Sequence, residues 1–571
     1  MAMVLKVVIM KRILTILILS ATSLLLQAQS HMLHERLYLS TDKECYLAGE
    51  HIWISAFCYD AVTGKLSPVS AVAYIELQNL SGSVVQAKIA LAAGRGSGLI
   101  DLPLFLPTGN YRLLAYTRYM YSESENNVFS RIITIYNPLT SLRSDNVKVD
   151  SGSGPVVKQK ANQDNNPELG VFTDKNVYQP GEEVRITLSH SLPKEVSLSV
   201  SVFRKENLNH FSNPSISFLV DSTRNQTFTP FSFWRVDYPG EVIRGHVVDQ
   251  NNDPVAPSGG FGSYISIAGS QVQYYTGELG DNGRLRFFTS NLYGNGTLIS
   301  YIPSHNDKQY HLVLDSVYMN PRVHELPELI LDVRQQPVLE ERSLGVQLWH
   351  AFGLDSLFRE ERTETNLLFE NSGIVYKLDE YTRFPTMGEV IVEFVREARF
   401  RTIGGSRVLQ LRLRDAGGTV YYVDDPTPPL VLLDGIPVRD HEKIYAYDPA
   451  LVREIVIYPD KYAFGPIYYN GILFLKTYRG DFPDLEMKES MRIHEFQGVQ
   501  NPHSFGMVPR DSRLPDVRHT LYWNPRVDLK GTEPVTIRTT TSETKGTFVV
   551  VAEGMNPEGK TFRNSTEFTV K

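Results

Sequence analysis

Hydrophobic and polar positions alternate with period two through much of this chain. Val196-Ser197-Leu198-Ser199-Val200-Ser201-Val202 shows it most plainly, and Val535-Thr536-Ile537-Arg538-Thr539 and the run Phe548 to Val551 repeat it near the end. Successive strand residues point to opposite faces, so the pattern predicts half-buried β-strands. One ten-residue pattern, T-D-K-x-x-Y-x-x-G-E, occurs twice, from Thr41 to Glu50 and from Thr173 to Glu182. Each copy ends a strand at Tyr46 or Tyr178, turns at Gly-Glu and continues into an apolar strand, Ile52 to Tyr59 or Val184 to Leu188. Each predicts the opening hairpin of a β-sandwich, so the chain reads as an array of modules. Between 385 and 480 the pattern changes. Thr386 and Glu389 form a capping box, and Ile391, Phe394, Val395 and Ala398 follow at helical spacing, which predicts a helix of about four turns. Leu430 to Leu433 and Glu454 to Tyr458 then read as strands, with Asp448 capping a short helix that has Pro449 at its first position.

Size and composition refine this picture. A chain of 571 residues is too long for one core and suits about four or five domains. Its 30 Tyr, 27 Phe, 40 Gly and 32 Pro favour short strands and frequent turns. The net charge of -7 is mild, and no basic run is long enough to neutralise a track of phosphates, so nucleic acid is not an expected partner. Lys11-Arg12, the apolar run Ile13 to Leu26 and the exit Gln27-Ala28-Gln29 have the charge, length and small residues of a secretory signal peptide. No later stretch approaches the roughly 20 apolar residues of a spanning helix, and no Cys follows the apolar run to take a lipid. An exported protein is expected. Cys45 and Cys58 are the two cysteines. In a tight hairpin they would lie about 15–20 Å apart along the strand, so they are expected unbonded unless their strands belong to different sheets.

The repeated motif, with Gly98-Leu99-Ile100-Asp101-Leu102-Pro103 and the run Leu106 to Thr117 as closing strands, resembles macroglobulin-like domains of large bacterial envelope proteins. Gly240 to Asp249, the Asn252-Asp253-Pro254 turn and the Asp281-Asn282-Gly283 turn resemble a carboxypeptidase-regulatory-like sandwich. Leu433-Asp434-Gly435-Ile436-Pro437, Arg453-Glu454-Ile455, and Asn470-Gly471 before a strand ending in Lys476-Thr477 resemble the plug domain of TonB-dependent outer-membrane transporters. Only about ninety residues follow, too few for a transporter barrel of 9–11-residue strands. Arg518 to Pro525 and the alternating runs after it resemble a closing macroglobulin-like sandwich. The whole order is similar to multi-domain exported proteins of the Bacteroidota, which implies an envelope location and no established catalytic activity.

The expected fold class is therefore mainly β: tandem immunoglobulin/macroglobulin-like β-sandwiches plus one small α/β plug-like domain. The expected divisions are a signal peptide (1–28), a macroglobulin-like sandwich (31–138), a linker (139–166), a second such sandwich (167–238), a regulatory-like sandwich (239–320), a connecting segment (321–380), the plug-like domain (381–484) and a C-terminal β-sandwich (485–571).

Candidate chemistry is sparse. Gly554-Met555-Asn556-Pro557-Glu558-Gly559-Lys560-Thr561 matches a phosphate loop, but the following Phe562 to Val570 is strand-like where the loop requires a helix, so a hairpin and no nucleotide are expected. The chain has no H-E-x-x-H, no G-x-S-x-G and no C-G-E-Q. Asp424-Asp425 precede Pro426 and read as a solvated loop, and the His residues are scattered, so no metal and no cofactor are expected. Trp53, Trp234, Trp349 and Trp523 suit either sugar stacking or the core. The expected role is that of a non-enzymatic cell-envelope binding or scaffolding protein, periplasmic or outer-membrane associated, in a transport or assembly complex. The alternatives are a glycan-binding accessory of a nutrient-uptake system and a macroglobulin-like protease-interacting protein. Outer-membrane or periplasmic proteins are the expected partners. Residues 460–468 are too aromatic for a solvated loop, so Tyr462, Phe464 and Tyr468 carry the expected partner contact, with packing back on the plug itself as the other reading.

Overall fold

The computed structural model describes residues 32–571 except 125–126, 151–164, 192–193, 225, 227–235, 239, 256–262, 270–272, 280–283, 291, 304–308, 321–324, 354–358, 361–372, 416, 424, 483–490 and 507–514. The expected signal peptide, the Asp281-Asn282-Gly283 turn, Asp424 and Trp234 lie outside the described residues.

The alternating pattern folds as strands throughout. The first sandwich has β1 (Glu35–Thr41), β2 (Cys45–Leu47), β3 (His51–Asp60), β4 (Val72–Asn79), β5 (Gly82–Ala90), β6 (Arg95–Asp101), β7 (Gly109–Tyr116) and β8 (Phe129–Tyr136). One sheet runs β1-β3-β6 and the other β2-β8-β7-β4-β5. Leu37, Ile54, Ile75, Leu113 and Ile133 lie in the core that the strands enclose. The T-D-K-x-x-Y-x-x-G-E motif is the corner by which the chain changes sheets. Fully buried Asp42 accepts hydrogen bonds from the Tyr46 hydroxyl at 2.7 Å and the Trp53 N–H at 3.1 Å, and Glu50 accepts from the Leu47 N–H at 3.0 Å. Gly49 turns at φ +90°, a conformation glycine adopts without a Cβ clash. Thus β2 leaves the sheet of β1 and pairs in parallel with β8.

The second copy makes the same corner. Asp174 accepts from the Tyr178 hydroxyl at 2.7 Å and the Arg185 N–H at 2.9 Å, and Glu182 accepts from the Gln179 N–H at 2.8 Å. It opens β9 (Leu169–Thr173), β10 (Val177–Tyr178), β11 (Glu183–His190) and β12 (Val196–Arg204). These four strands do not close a sandwich. They are completed by β13 (Thr520–Leu529), β14 (Val535–Thr540), β15 (Gly546–Met555) and β16 (Thr561–Val570) from the chain end. The sheets run β9-β11-β14 and β10-β16-β15-β12-β13, strand for strand the order of the first sandwich. The separate sandwiches expected at 167–238 and 485–571 are therefore one discontinuous sandwich. Either half alone would bare its inner face to water, whereas Val196, Leu198, Val200 and Val202 share one core with Phe548, Val550 and Phe562. The interruption falls between β12 and β13, where the first sandwich has the β4–β5 hairpin tip. Gly554 to Thr561 lies in the β15–β16 hairpin, with Asn556 accepting from the Lys560 N–H at 2.8 Å and Lys560 ion-paired to Glu168. A strand follows it, so no helix N-terminus is there to bind phosphate.

The inserted residues carry two further modules, one inside the other. In the outer one, Val242–Val248 pairs with Arg284–Phe288 and His311–Leu314, and Tyr264–Ile267 with Tyr274–Thr276 and Asn295–Tyr301. A further strand, Met491–Gln497, arrives after the inner module, pairs with Asn295–Tyr301 and places Phe496 in the core. The sandwich expected at 239–320 is thus completed from outside those bounds. The expected connector at 321–380 holds strand Leu329–Asp332, parallel to Val147–Asp150 of the expected linker, and helix α1 (Gln336–Ala351), which has Pro337 in its first turn.

The inner module is α/β. Its sheet contains Ile374–Lys377, Val452–Phe464, Ile467–Thr477, Leu430–Leu433 and Ile436–Pro437. Asp434 accepts from the N–H and hydroxyl of Thr477 at 2.8 and 2.6 Å, so two of the three runs that resemble a plug are bonded to each other. Helix α2 (Met387–Phe394) has the expected capping box but spans 8 residues, about two turns, against the four expected. Val395 is already extended, and buried Ala398 opens a strand, so its apolar character serves a β face.

Candidate functional site

The corner of the first motif, α1 and the start of β13 converge on a small solvent-open cleft with a cavity volume of about 80 Å3. Lys43, Glu50, His51 and Trp53 come from the corner and β3, Val346 and Trp349 from one face of α1, and Phe505, Arg518 and His519 from the segment leading into β13. The Trp53 and Phe505 rings meet edge-on at 5.5 Å. Trp53 and Trp523 are buried in one small cluster with Leu99, which assigns these two of the four Trp to packing, while Trp349 is half-buried on the cleft wall.

One side chain holds this junction together. Arg342 of α1 is 2% exposed. It donates to the Glu50 carboxylate at 3.1 and 2.8 Å, to Glu206 at 2.5 Å and to the Cys45 carbonyl at 2.9 Å. Glu50 closes the first motif and Glu206 follows β12, so a helix from the insertion bridges both sandwiches. Lys43 lies 3.3 Å from Glu50, and His519 lies 3.0 Å from Glu206. Burial alone raises a carboxyl pKa. Here the Arg342 guanidinium more than offsets it, holding Glu206 at about 2 and Glu50 well below the usual carboxylate range. Carboxylates so committed stay ionised at neutral pH and cannot trade protons there. Sequence reading missed Arg342 and Glu206, because nothing local marks a cation that meets acids from distant strands.

Cys45 and Cys58 are buried and free, although β2 and β3 do lie in different sheets. Burial pushes the Cys45 thiol up to about 12. Among the described residues, no group of three or more His, Cys, Asp or Glu could hold a metal ion, and no helix is long and apolar enough to cross a membrane.

The three rings expected at a partner contact separate. Phe464 lies 5.1 Å from Tyr274 of the outer inserted sandwich, edge-on, and its carbonyl accepts from the Thr276 hydroxyl at 3.1 Å. Tyr462 packs on the same cluster, which joins Tyr264 and Tyr274 to Leu430, Val456 and Phe474. This face of the α/β module is therefore covered by the chain's own sandwich. Tyr468 is 68% exposed.

No family model matches the chain, and no curated protein matches it. Among solved structures it aligns with Salmonella alpha-2-macroglobulin reacted with methylamine, at 9% identity and TM-score 0.24, over 94% of this chain and 39% of that one. Escherichia coli alpha-2-macroglobulin activated by porcine elastase gives 10% identity and TM-score 0.24, over 94% and 44%. The Yersinia pseudotuberculosis adhesin InvE gives 15% identity and TM-score 0.13, over 49% and 59%. The chain spans about two fifths of the length of these macroglobulins. At such TM-scores no residue or activity transfers, and the mainly β fold class rests on the sheets themselves.

Proposed function

We propose that this chain is a non-enzymatic binding or scaffolding protein of the bacterial cell envelope, exported and associated with the outer membrane in the manner of Bacteroidota multi-domain proteins. The observation that supports it is the use made of the perturbed carboxylates. Glu50 and Glu206 bind Arg342 and so fix three segments relative to one another, and although Glu50 borders the cleft its carboxylate is committed to that guanidinium rather than free to exchange protons as a catalytic acid is. The adjoining cleft offers an apolar wall of Val346, Trp349 and Phe505 beside Lys43 and His51, which suits an extended segment of an envelope protein. The half-buried Trp349 favours a second reading in which a glycan stacks on the indole.

The test uses the mature protein and its Trp349→Ala, Phe505→Ala variant, each presented to detergent-solubilised envelopes. The wild type is expected to retain one envelope protein in stoichiometric amount, and the variant to lose it while staying folded, with a melting temperature lowered by loss of the Phe505–Trp53 contact; Trp349→Ala alone should lose the partner with the smaller change in melting temperature. Cleft-dependent retention of an oligosaccharide instead selects the second reading. Turnover of peptide, ester or glycoside substrates contradicts both.

A further inference from the structure

The hairpin Ala398–Ile403 and Ser406–Arg414 of the inner module has two unlike faces. Leu409, Leu411 and Leu413 are buried on one. Arg399, Arg401 and Ile403 of the first strand and Arg412 and Arg414 of the second share the other, because the register sets Arg399 opposite Gln410 and Arg401 opposite Val408. Alternate residues along a strand are about 7 Å apart, so the cations form a ladder on a rigid surface. Tyr422 lies opposite Arg412 on the next strand, and the Arg399 and Arg412 guanidinium groups sit 3.7 and 5.0 Å from its ring centroid. Arg399 also donates Nε and Nη2 to the Gln410 side-chain oxygen at 3.3 and 3.1 Å, whereas stacking of this kind holds the Arg412 guanidinium plane while its N–H edge remains able to bind oxyanions.

Two of the neighbouring carboxylates, Glu397 and Asp415, are engaged elsewhere. Arg383, Arg407 and Lys476 make ion pairs in this module, and among the described residues Arg399, Arg401, Arg412 and Arg414 make none. Glu397 accepts from the Tyr376 hydroxyl, and Asp415 from the N–H groups of Gly417 and Thr419. At the tip, Gly404 and Gly405 have φ +60° and +87°, and a Cβ at either would meet nothing within 4 Å, so the turn projects into solvent. Ile403 beside it is 46% exposed.

We infer that this hairpin docks on an anionic lipid surface. Ile403 enters the boundary between headgroups and acyl chains, Arg401 meets headgroup phosphates, and the remaining arginines form the cationic approach. Four cations with no ion pair among the described residues, on one face of a chain of net charge -7, supply the charge complementarity, and the projecting apolar tip favours a membrane over a soluble polyanion. The inference deepens the envelope reading and rests on it, but uses none of the cleft residues.

The experiment is co-sedimentation of the full mature protein with vesicles of phosphatidylcholine alone or mixed with phosphatidylglycerol. Binding is expected to the mixed vesicles only, and to weaken as salt rises. Arg401→Gln should weaken it about fivefold, Arg414→Gln at the far end of the strand should weaken it less, Arg401→Lys should restore it, and Ile403→Ser should weaken it at unchanged charge. Melting temperatures should hold throughout, and the cleft variant should bind vesicles normally, so failure here is separable from failure of the cleft. Equal binding to neutral vesicles, binding indifferent to these substitutions, no binding to vesicles, or binding to dextran sulfate alone would overturn the inference.

Discussion

Asp42 and Asp174 accept the same tyrosine hydrogen bond, at 2.7 Å in both corners, in different surroundings. Asp42 is fully buried, whereas Asp174 is exposed. Water can replace a lost donor at Asp174 but not at Asp42. Tyr46→Phe should therefore cost about 2 kcal/mol and Tyr178→Phe about 0.5 kcal/mol in denaturant unfolding; equal costs would show that burial is not what separates the two sites. The Arg342 cluster predicts a pH dependence with a definite sign. Unfolded glutamates titrate near pH 4.3. Glu206 and Glu50 are depressed below that when folded, so their contribution is complete above about pH 5 and falls away as pH drops towards 2. Arg342→Ala leaves two buried carboxylates without their cation and should cost about 3 kcal/mol or more at pH 7. Its deficit should shrink at acid pH as those carboxyls protonate, and a deficit constant from pH 7 to pH 3 would contradict the assignment.

At the scale of elements, the signals confined to a few residues were legible. The Thr386–Glu389 capping box, the Gly49 and Gly181 corners and the hairpin at Asn556 all form as their residues dictate, because each depends on backbone groups within a few positions. The length of α2 was not legible, since Ala398 satisfies a helical and a strand face alike. Nor was the joining of β12 to β13, which has no local signature; Glu182 bonds Thr541 across 359 positions. A clue lay in Gly109-Asn110-Tyr111-Arg112-Leu113-Leu114-Ala115 and Gly546-Thr547-Phe548-Val549-Val550-Val551-Ala552, which share their Gly, aromatic, apolar and Ala positions and occupy equivalent strands. The contact between inserted modules gives a prediction at the same scale. Phe464→Ala removes a ring packed on Tyr274 and should lower stability by about 2–3 kcal/mol, whereas Tyr468→Ser should stay within about 0.5 kcal/mol. Thermal unfolding of the two variants measures the difference, and the reverse order would contradict the packing.

For the whole molecule, the insertion between β12 and β13 makes the second sandwich depend on strands made at opposite ends of the insertion, while Arg342 ties the inserted helix back to both sandwiches. Among the described residues, buried contacts tie the modules to one another. The measurement that bears most directly on this is a cross-link in the full chain. Arg185 of β11 and Arg538 of β14 are directly opposite, exposed and like-charged, so their Cα atoms lie within about 5.5 Å, inside disulfide range. The Arg185→Cys, Arg538→Cys variant should form that bond on mild oxidation and keep or raise the melting temperature, with the buried Cys45 and Cys58 unreacted. If both introduced thiols stay reduced in the folded protein, or pair between molecules, the two halves do not form one sandwich and the account fails.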